Sequence, residues 1–166
     1  MKFIKTSNKD IDNVMKIIKK SQEYFKSQGI DQWQNNYPNN NVIQNDINNG
    51  HSYILIKDDK IIATTAISFD GENTYNKIDG KWLSENDYAV IHRIAVDKLY
   101  KGLGIGGKII KEVEKLCKEK EVNSIKIDTH KDNKSMKRLL EKNGFEYCGI
   151  IYLDDGSERI AFEKII

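Results

Sequence analysis

Four of the six residues from Gly102 to Gly107 are glycines, and Lys108 follows at once. Such a stretch can hold a phosphate. Glycines let the main chain approach closely, and the N–H groups that open a following helix point at an anion with the favourable end of the helix dipole. Three patterns fit. Gly102, Gly104 and Gly107 satisfy the dinucleotide fingerprint G-x-G-x-x-G, and Gly102 to Lys108 satisfies G-x-x-x-x-G-K, most of a P-loop. Lys101, Gly104 and Gly106 nearly satisfy a third, Q/R-x-x-G-x-G/A, which also cradles a pyrophosphate.

Charge supports an anionic ligand. The chain carries a net +2, yet residues 98–111 hold Lys98, Lys101, Lys108 and Lys111 with no acid, and residues 131–142 carry +3, leaving −5 for the remainder. So small a total does not mark a nucleic-acid binder. Cys117 and Cys148 lie in no C-x-x-C pair and at no zinc-ligand spacing, so they read as small buried hydrophobes of a reducing compartment, and no metal is expected. The first ten residues lack the apolar core of a leader, and no run of about 18 apolar residues occurs, so the expectation is a cytoplasmic protein without a membrane partner.

The elements that position these residues follow from periodicity. At 166 residues the chain reads as a single domain, 1–166, able to bury roughly 70% of the surface it exposes unfolded. Phe3 to Thr6 predicts a strand. A capping-box-like Ser7-x-x-Asp10 then leads into apolar residues Ile11, Val14, Met15, Ile18 and Phe25 at helical spacing, a helix that ends near Gly29. Gln32 to Asn41 is a polar loop, followed by a short helix from Val42 to Ile47. Two β-branched runs across Asp58-Asp59 predict a hairpin. A loop from Gly71 to Asp87 leads to a strand from Tyr88 to Val96, then the glycines, a helix to about Glu121, a strand from Ser124 to Thr129, a helix from Asn133 to Asn143, and two strands around Asp155-Gly156. The order β-α-α-β-β-β-α-β-α-β-β is mixed α/β with one βαβ unit. A dinucleotide fold carries its fingerprint in an opening βαβ unit, which argues against that pattern here. A P-loop needs Ser or Thr after its lysine, and Ile109 stands there.

Three segments in this order, R-I-A-V-D at 93–97, K-G-L-G-I-G-G at 101–107 and D-T-H-K-D-N-K-S-M-K-R-L-L-E-K-N-G-F at 128–145, resemble the GNAT superfamily of acetyl-coenzyme A dependent N-acetyltransferases. The resemblance covers nearly the whole chain, and G-I-D-Q-W-Q-N-N-Y-P at 29–38 looks like a bacterial subgroup of it. It implies a mixed, mostly antiparallel sheet of about seven strands, splayed between its fourth and fifth, flanked by four helices, with coenzyme A in the cleft. Main-chain groups of Ile94, Ala95 and Val96 would pair with the pantetheine arm. Lys101, Gly102, Leu103, Gly104, Ile105, Gly106 and Gly107 would hold the pyrophosphate, and Asn133 would contact the cofactor arm. Lys101 stands where the family has Gln or Arg, keeping a charge but losing the planar fork.

The chemistry that the resemblance implies is direct attack of a primary amine of a small molecule, amino acid or peptide on acetyl-coenzyme A, by an acyl-CoA N-acyltransferase (EC 2.3.1.-) acting as a monomer or homodimer. His92, placed by strand alternation on the face of Val90, Ile94 and Val96, is the candidate base; a buried histidine satisfying a carbonyl is the competing reading. Ile94 N–H is the candidate oxyanion donor. Leu140 occupies the position of the usual acid tyrosine, so either Tyr152 or water does that task or no acid is needed, because a thiolate leaves easily. Trp33, Tyr37 and Trp82 fall in the loops that border the acceptor cleft in the family, where they would line it or cap a core. The missing tyrosine also suits a non-catalytic coenzyme A-binding sensor or interaction module.

Overall fold

Local sequence decides most of the first elements. Ser7 donates its N–H and its hydroxyl to the Asp10 carboxylate (2.8 and 2.9 Å), closing a short 3-10 turn, and helix α1 runs from there over Ile11–Ser27. Val14, Met15, Ile17, Ile18 and Phe25 form its buried stripe at helical spacing. Helix α2, Asn40–Asn48, begins two residues earlier than the sequence predicts, because Asn39 Oδ1 accepts from Val42 N–H at 3.1 Å and caps it. The hairpin of β2 (Ser52–Lys57) and β3 (Lys60–Ser68) turns on Asp58 and Asp59, both left-handed at φ 48 and 61, the geometry of a two-residue turn matched to strand twist.

The computed structural model describes all residues, Met1–Ile166. They form two compact units, Met1–Ile67 with His92–Ile109, and Ser68–Ile91 with Ile110–Ile166. In the first, β1 (Lys2–Lys5) pairs antiparallel with β2, β2 pairs antiparallel with β3, and β3 lies beside β5 (Ala89–Val96). Its core joins the α1 stripe to Ile43 of α2, Ile54 of β2 and Ala95 of β5.

In the second unit β6 (Ser124–Thr129) pairs parallel with the start of β5, Ala89 with Ile125 and Val90 with Lys126. β6 also pairs antiparallel with β8 (Glu158–Ile165), and β8 with β7 (Glu146–Tyr152). The β7–β8 turn closes as the sequence predicts, with Gly156 N–H donating to Leu153 O at 2.8 Å. Helices α3 (Ile105–Glu119) and α4 (Lys134–Lys142) complete a set of four. The whole is a mixed α/β fold with a mostly antiparallel sheet, as expected, but of eight strands where about seven were predicted. The additional one is β4, Asp79–Gly80, inside the segment read as a loop, pairing with β7. A Cβ on Gly80 would lie 2.1 Å from Cys148 O and one on Gly149 2.2 Å from Asp79 O, so this strand exists because two glycines let backbones meet.

Two charged side chains sit in the second unit's interior. Glu163 is fully buried, accepting from Leu83 N–H (2.5 Å), Ser84 N–H (3.3 Å) and the hydroxyls of Ser84 and Ser124 (2.7 Å each). Lys126, 4% exposed, places its ammonium 4.3 Å from the Trp82 ring centroid and 4.0 Å from that of Tyr88. Burial lowers the Lys126 pKa, and Glu163 opposes that shift. Removing the carboxylate in Glu163→Ala orphans four donors and should cost about 3 kcal/mol, read as a drop in the urea midpoint. A midpoint within about 0.5 kcal/mol of wild type would contradict the network.

Candidate functional site

The first unit carries the stretch from His92 to Ile109. β5 enters it and changes course at once: Arg93 adopts φ 51. A left-handed non-glycine residue inside a strand costs on the order of 1 kcal/mol and must be held by its surroundings. Strict alternation does not pass through such a residue, so the sequence argument that put His92 on the face of Val90, Ile94 and Val96 loses its basis. His92 is half-buried, and its carbonyl accepts from Thr65 Oγ1 at 3.1 Å. Beyond it Ala95 is buried and Ile94 and Val96 half-buried. The strand closes where Asp97 N–H donates to Ile62 O at 2.8 Å.

Arg93 is held from two sides. Its Nε and Nη2 donate to Oδ2 and Oδ1 of Asp46 on α2, at 2.7 and 2.5 Å, and its Nη1 donates to the hydroxyl of Tyr37 at 3.0 Å. Burial lowers the guanidinium pKa, but the bonds to Asp46 and Tyr37 outweigh it and the net shift is upward. Sequence reasoning passed over Asp46 and gave the Arg93 side chain no role. The available signals were a charge within an apolar strand and an acid on the buried face of a short helix.

After a 3-10 turn at Lys98–Tyr100 the chain reaches the glycines. Gly102 (φ 79) and Gly104 (φ 75) are left-handed, and a Cβ built on either meets nothing within 4 Å. These two therefore owe their glycine to backbone conformation and open onto unfilled space. Gly104 O accepts from Lys108 N–H at 3.1 Å, the first turn of α3, so helix geometry leaves the N–H groups of Ile105, Gly106 and Gly107 without an intrahelical acceptor. Leu103 between them is 66% exposed. Lys101 lays its ammonium over the Tyr24 ring at 4.5 Å, and partial burial with the neighbouring Lys98 lowers its pKa. The arrangement can bind an anionic, phosphate-bearing group by main chain alone.

The other predicted site residues divide by environment. Trp33 packs against the first unit's core with its ring edge-on to Phe25, centroids 5.7 Å apart, whereas Tyr37 keeps its hydroxyl on Arg93 and is 42% exposed. In the second unit Trp82 donates its indole N–H to Tyr75 O at 2.9 Å and covers Lys126, the posture of a core cap. Asn133 is buried and its Oδ1 caps α4, accepting from Met136 N–H at 3.1 Å. Tyr152 donates its hydroxyl to the Asp79 carboxylate, and that bond raises its pKa, making it a poorer acid. Leu140 is fully buried. Asp132 N–H donates to His130 Nδ1 at 3.1 Å, fixing the turn after β6. No group of three or more His, Cys, Asp or Glu side chains able to hold a metal occurs, and no helix is long and apolar enough to cross a membrane.

A model of the Acetyltransferase (GNAT) family matches residues 14–145. A crystal structure of a GNAT family acetyltransferase from Streptococcus agalactiae is 32% identical with a TM-score of 0.90, covering 99% of this chain and 95% of that one. The uncharacterized N-acetyltransferase YesJ of Bacillus subtilis is 24% identical over 95% of this chain and 86% of its own. A PaiA N-acetyltransferase from Thermoplasma acidophilum, solved in complex with coenzyme A, shares the fold at 18% identity and a TM-score of 0.72, covering 99% of this chain and 98% of that one.

Both cysteines are free and buried, and burial pushes the Cys117 thiol up from an ordinary 9.0 to about 11 and raises Cys148 as well. Neither should react with a thiol reagent at neutral pH until the protein unfolds, so thiol release in an assay reports the substrate. Above the ordinary thiol pKa of 9.0 the unfolded chain holds fewer protons than the native one, and stability falls as pH rises toward the native value. A urea midpoint lower at about pH 10.5 than at about pH 8 is expected; rapid labelling of the native protein would contradict the burial.

Proposed function

The chain belongs to the GNAT family of acetyltransferases, acyl-CoA N-acyltransferases of class EC 2.3.1, and from that premise we propose that it transfers acetyl from acetyl-coenzyme A to a primary amine of a small molecule, amino acid or peptide by direct attack. The observation that carries the reading is the pair of left-handed glycines, Gly102 and Gly104, opening onto empty space at the start of α3. The match over residues 14–145 runs through both units, which supports treating residues 1–166 as one catalytic domain. The relative from Thermoplasma acidophilum, which shares the fold and was solved with coenzyme A, supports the cosubstrate. Two free cysteines suit the cytoplasm, where thiols stay reduced.

In this reading the donors of residues 101–107 bind the pyrophosphate, and main-chain groups of Ile94, Ala95 and Val96 take the amide-bearing arm as an added strand would. Asn133 contacts the same arm. Ile94 N–H faces the thioester oxygen as charge develops there. The attacking nitrogen must lose a proton. For a lysine-like amine that costs roughly 4.6 kcal/mol at pH 7, and for an α-amine only about 1. His92, half-buried on β5 two residues before Ile94, is the group assigned to take that proton, directly or through water, and Tyr37 and Trp33 border the acceptor. With Leu140 in the acid position and the Tyr152 hydroxyl given to Asp79, the departing coenzyme A thiolate takes its proton from water.

Two substitutions test this. His92→Ala should lower turnover by roughly 10² with a lysine-like acceptor while leaving coenzyme A affinity within about twofold; unchanged turnover removes His92 from the reaction. Gly104→Val places a branched side chain in the open space at a left-handed residue and should abolish coenzyme A binding in calorimetry. A folded variant that binds normally would reassign the loop.

A further inference from the structure

Arg93 is neither a glycine nor in a turn, yet it is left-handed in the middle of a strand, between the residues assigned as base and oxyanion donor. Its ψ sets the direction of the next peptide, and so of Ile94 N–H. What holds this conformation is a single planar group that touches two other segments. The guanidinium spans both oxygens of Asp46, itself 4% exposed on α2, and donates a third bond to Tyr37 on the loop before α2. A buried ion pair is a poor net stabiliser against an apolar alternative. It is a good device for fixing geometry, because a fork bonded at three points leaves its own backbone little room to rotate. Lysine, with one point charge, cannot make the same three bonds.

We propose that Asp46 and Arg93 are positioning residues for acetyl transfer: by clamping the left-handed residue of β5 to α2 and to Tyr37, they aim the N–H of Ile94 at the thioester oxygen and fix the Tyr37 hydroxyl beside it. This rests on the reading of β5 as the strand that faces acetyl-coenzyme A. Because Arg93 donates to the Tyr37 oxygen, the phenolic proton points away from the guanidinium, so Tyr37 enters the site as a hydrogen-bond donor.

The test uses the full chain, with acetyl-coenzyme A and an amine panel, and with water as the acceptor of last resort. Arg93→Lys and Asp46→Asn should each lower the rate of thiol release roughly tenfold, as expected for a misaimed donor, while the dissociation constant for coenzyme A stays within about twofold. The double variant should be no slower than the worse single one, since the two act as a unit. Asp46→Asn, far from Ile94 in sequence, should also shift the Ile94 amide resonance in ¹⁵N spectra, a signature that simple loss of stability would not produce. Should Arg93→Lys fail to fold, Asp46→Asn, nearly identical in shape, carries the test. Rates within twofold of wild type in both variants, or an unmoved Ile94 resonance, overturn the proposal. A wild-type protein that binds no coenzyme A instead overturns the reading on which it rests.

Discussion

Main-chain N–H groups must be satisfied by protein, water or ligand, and the course of the chain between Arg93 and Lys108 turns on that constraint. Three left-handed residues, Arg93, Gly102 and Gly104, redirect the backbone within a dozen positions. At the two glycines the conformation comes without strain, and a Cβ on either would meet nothing within 4 Å. At Arg93 the conformation is costly and is held by the guanidinium on Asp46 and Tyr37. In the proposed reading, anion binding and donor placement thus depend on backbone geometry, with side chains as its supports.

The second unit solves a different problem, how to fix a long connection with little regular structure. Residues 71–88 are tied down by polar contacts of buried groups. Tyr75 donates to Asp128 at 2.6 Å, with its pKa raised chiefly by burial and then by that carboxylate. Trp82 bonds Tyr75 and covers Lys126, and Leu83 and Ser84 bond Glu163. Each buried charge has several partners, as low-dielectric surroundings demand.

Elements set by local rules were legible in the sequence. The α1 stripe, the Asp58-Asp59 hairpin and the Asp155-Gly156 turn follow from periodicity and turn chemistry, and the glycine stretch announced its own conformation. What escaped depends on partners distant along the chain. β4 forms because Gly80 meets Gly149, a pairing that no window around residue 80 can reveal. Arg93 leaves the strand conformation because Asp46, 47 residues away, holds it, and with that the alternation argument for His92 fails. Trp82 reads equally as a cleft wall or a core cap until Lys126 is found beneath it. The resemblance supplied the family, and the physics of each residue had to be read from the fold.

The most direct test of the central claim is a crystal structure with acetyl-coenzyme A bound. Pyrophosphate oxygens at about 3 Å from main-chain nitrogens between Gly102 and Gly107, with the thioester oxygen on Ile94 N–H, are what the account predicts. A pyrophosphate held elsewhere, with the two left-handed glycines facing only water, would contradict it.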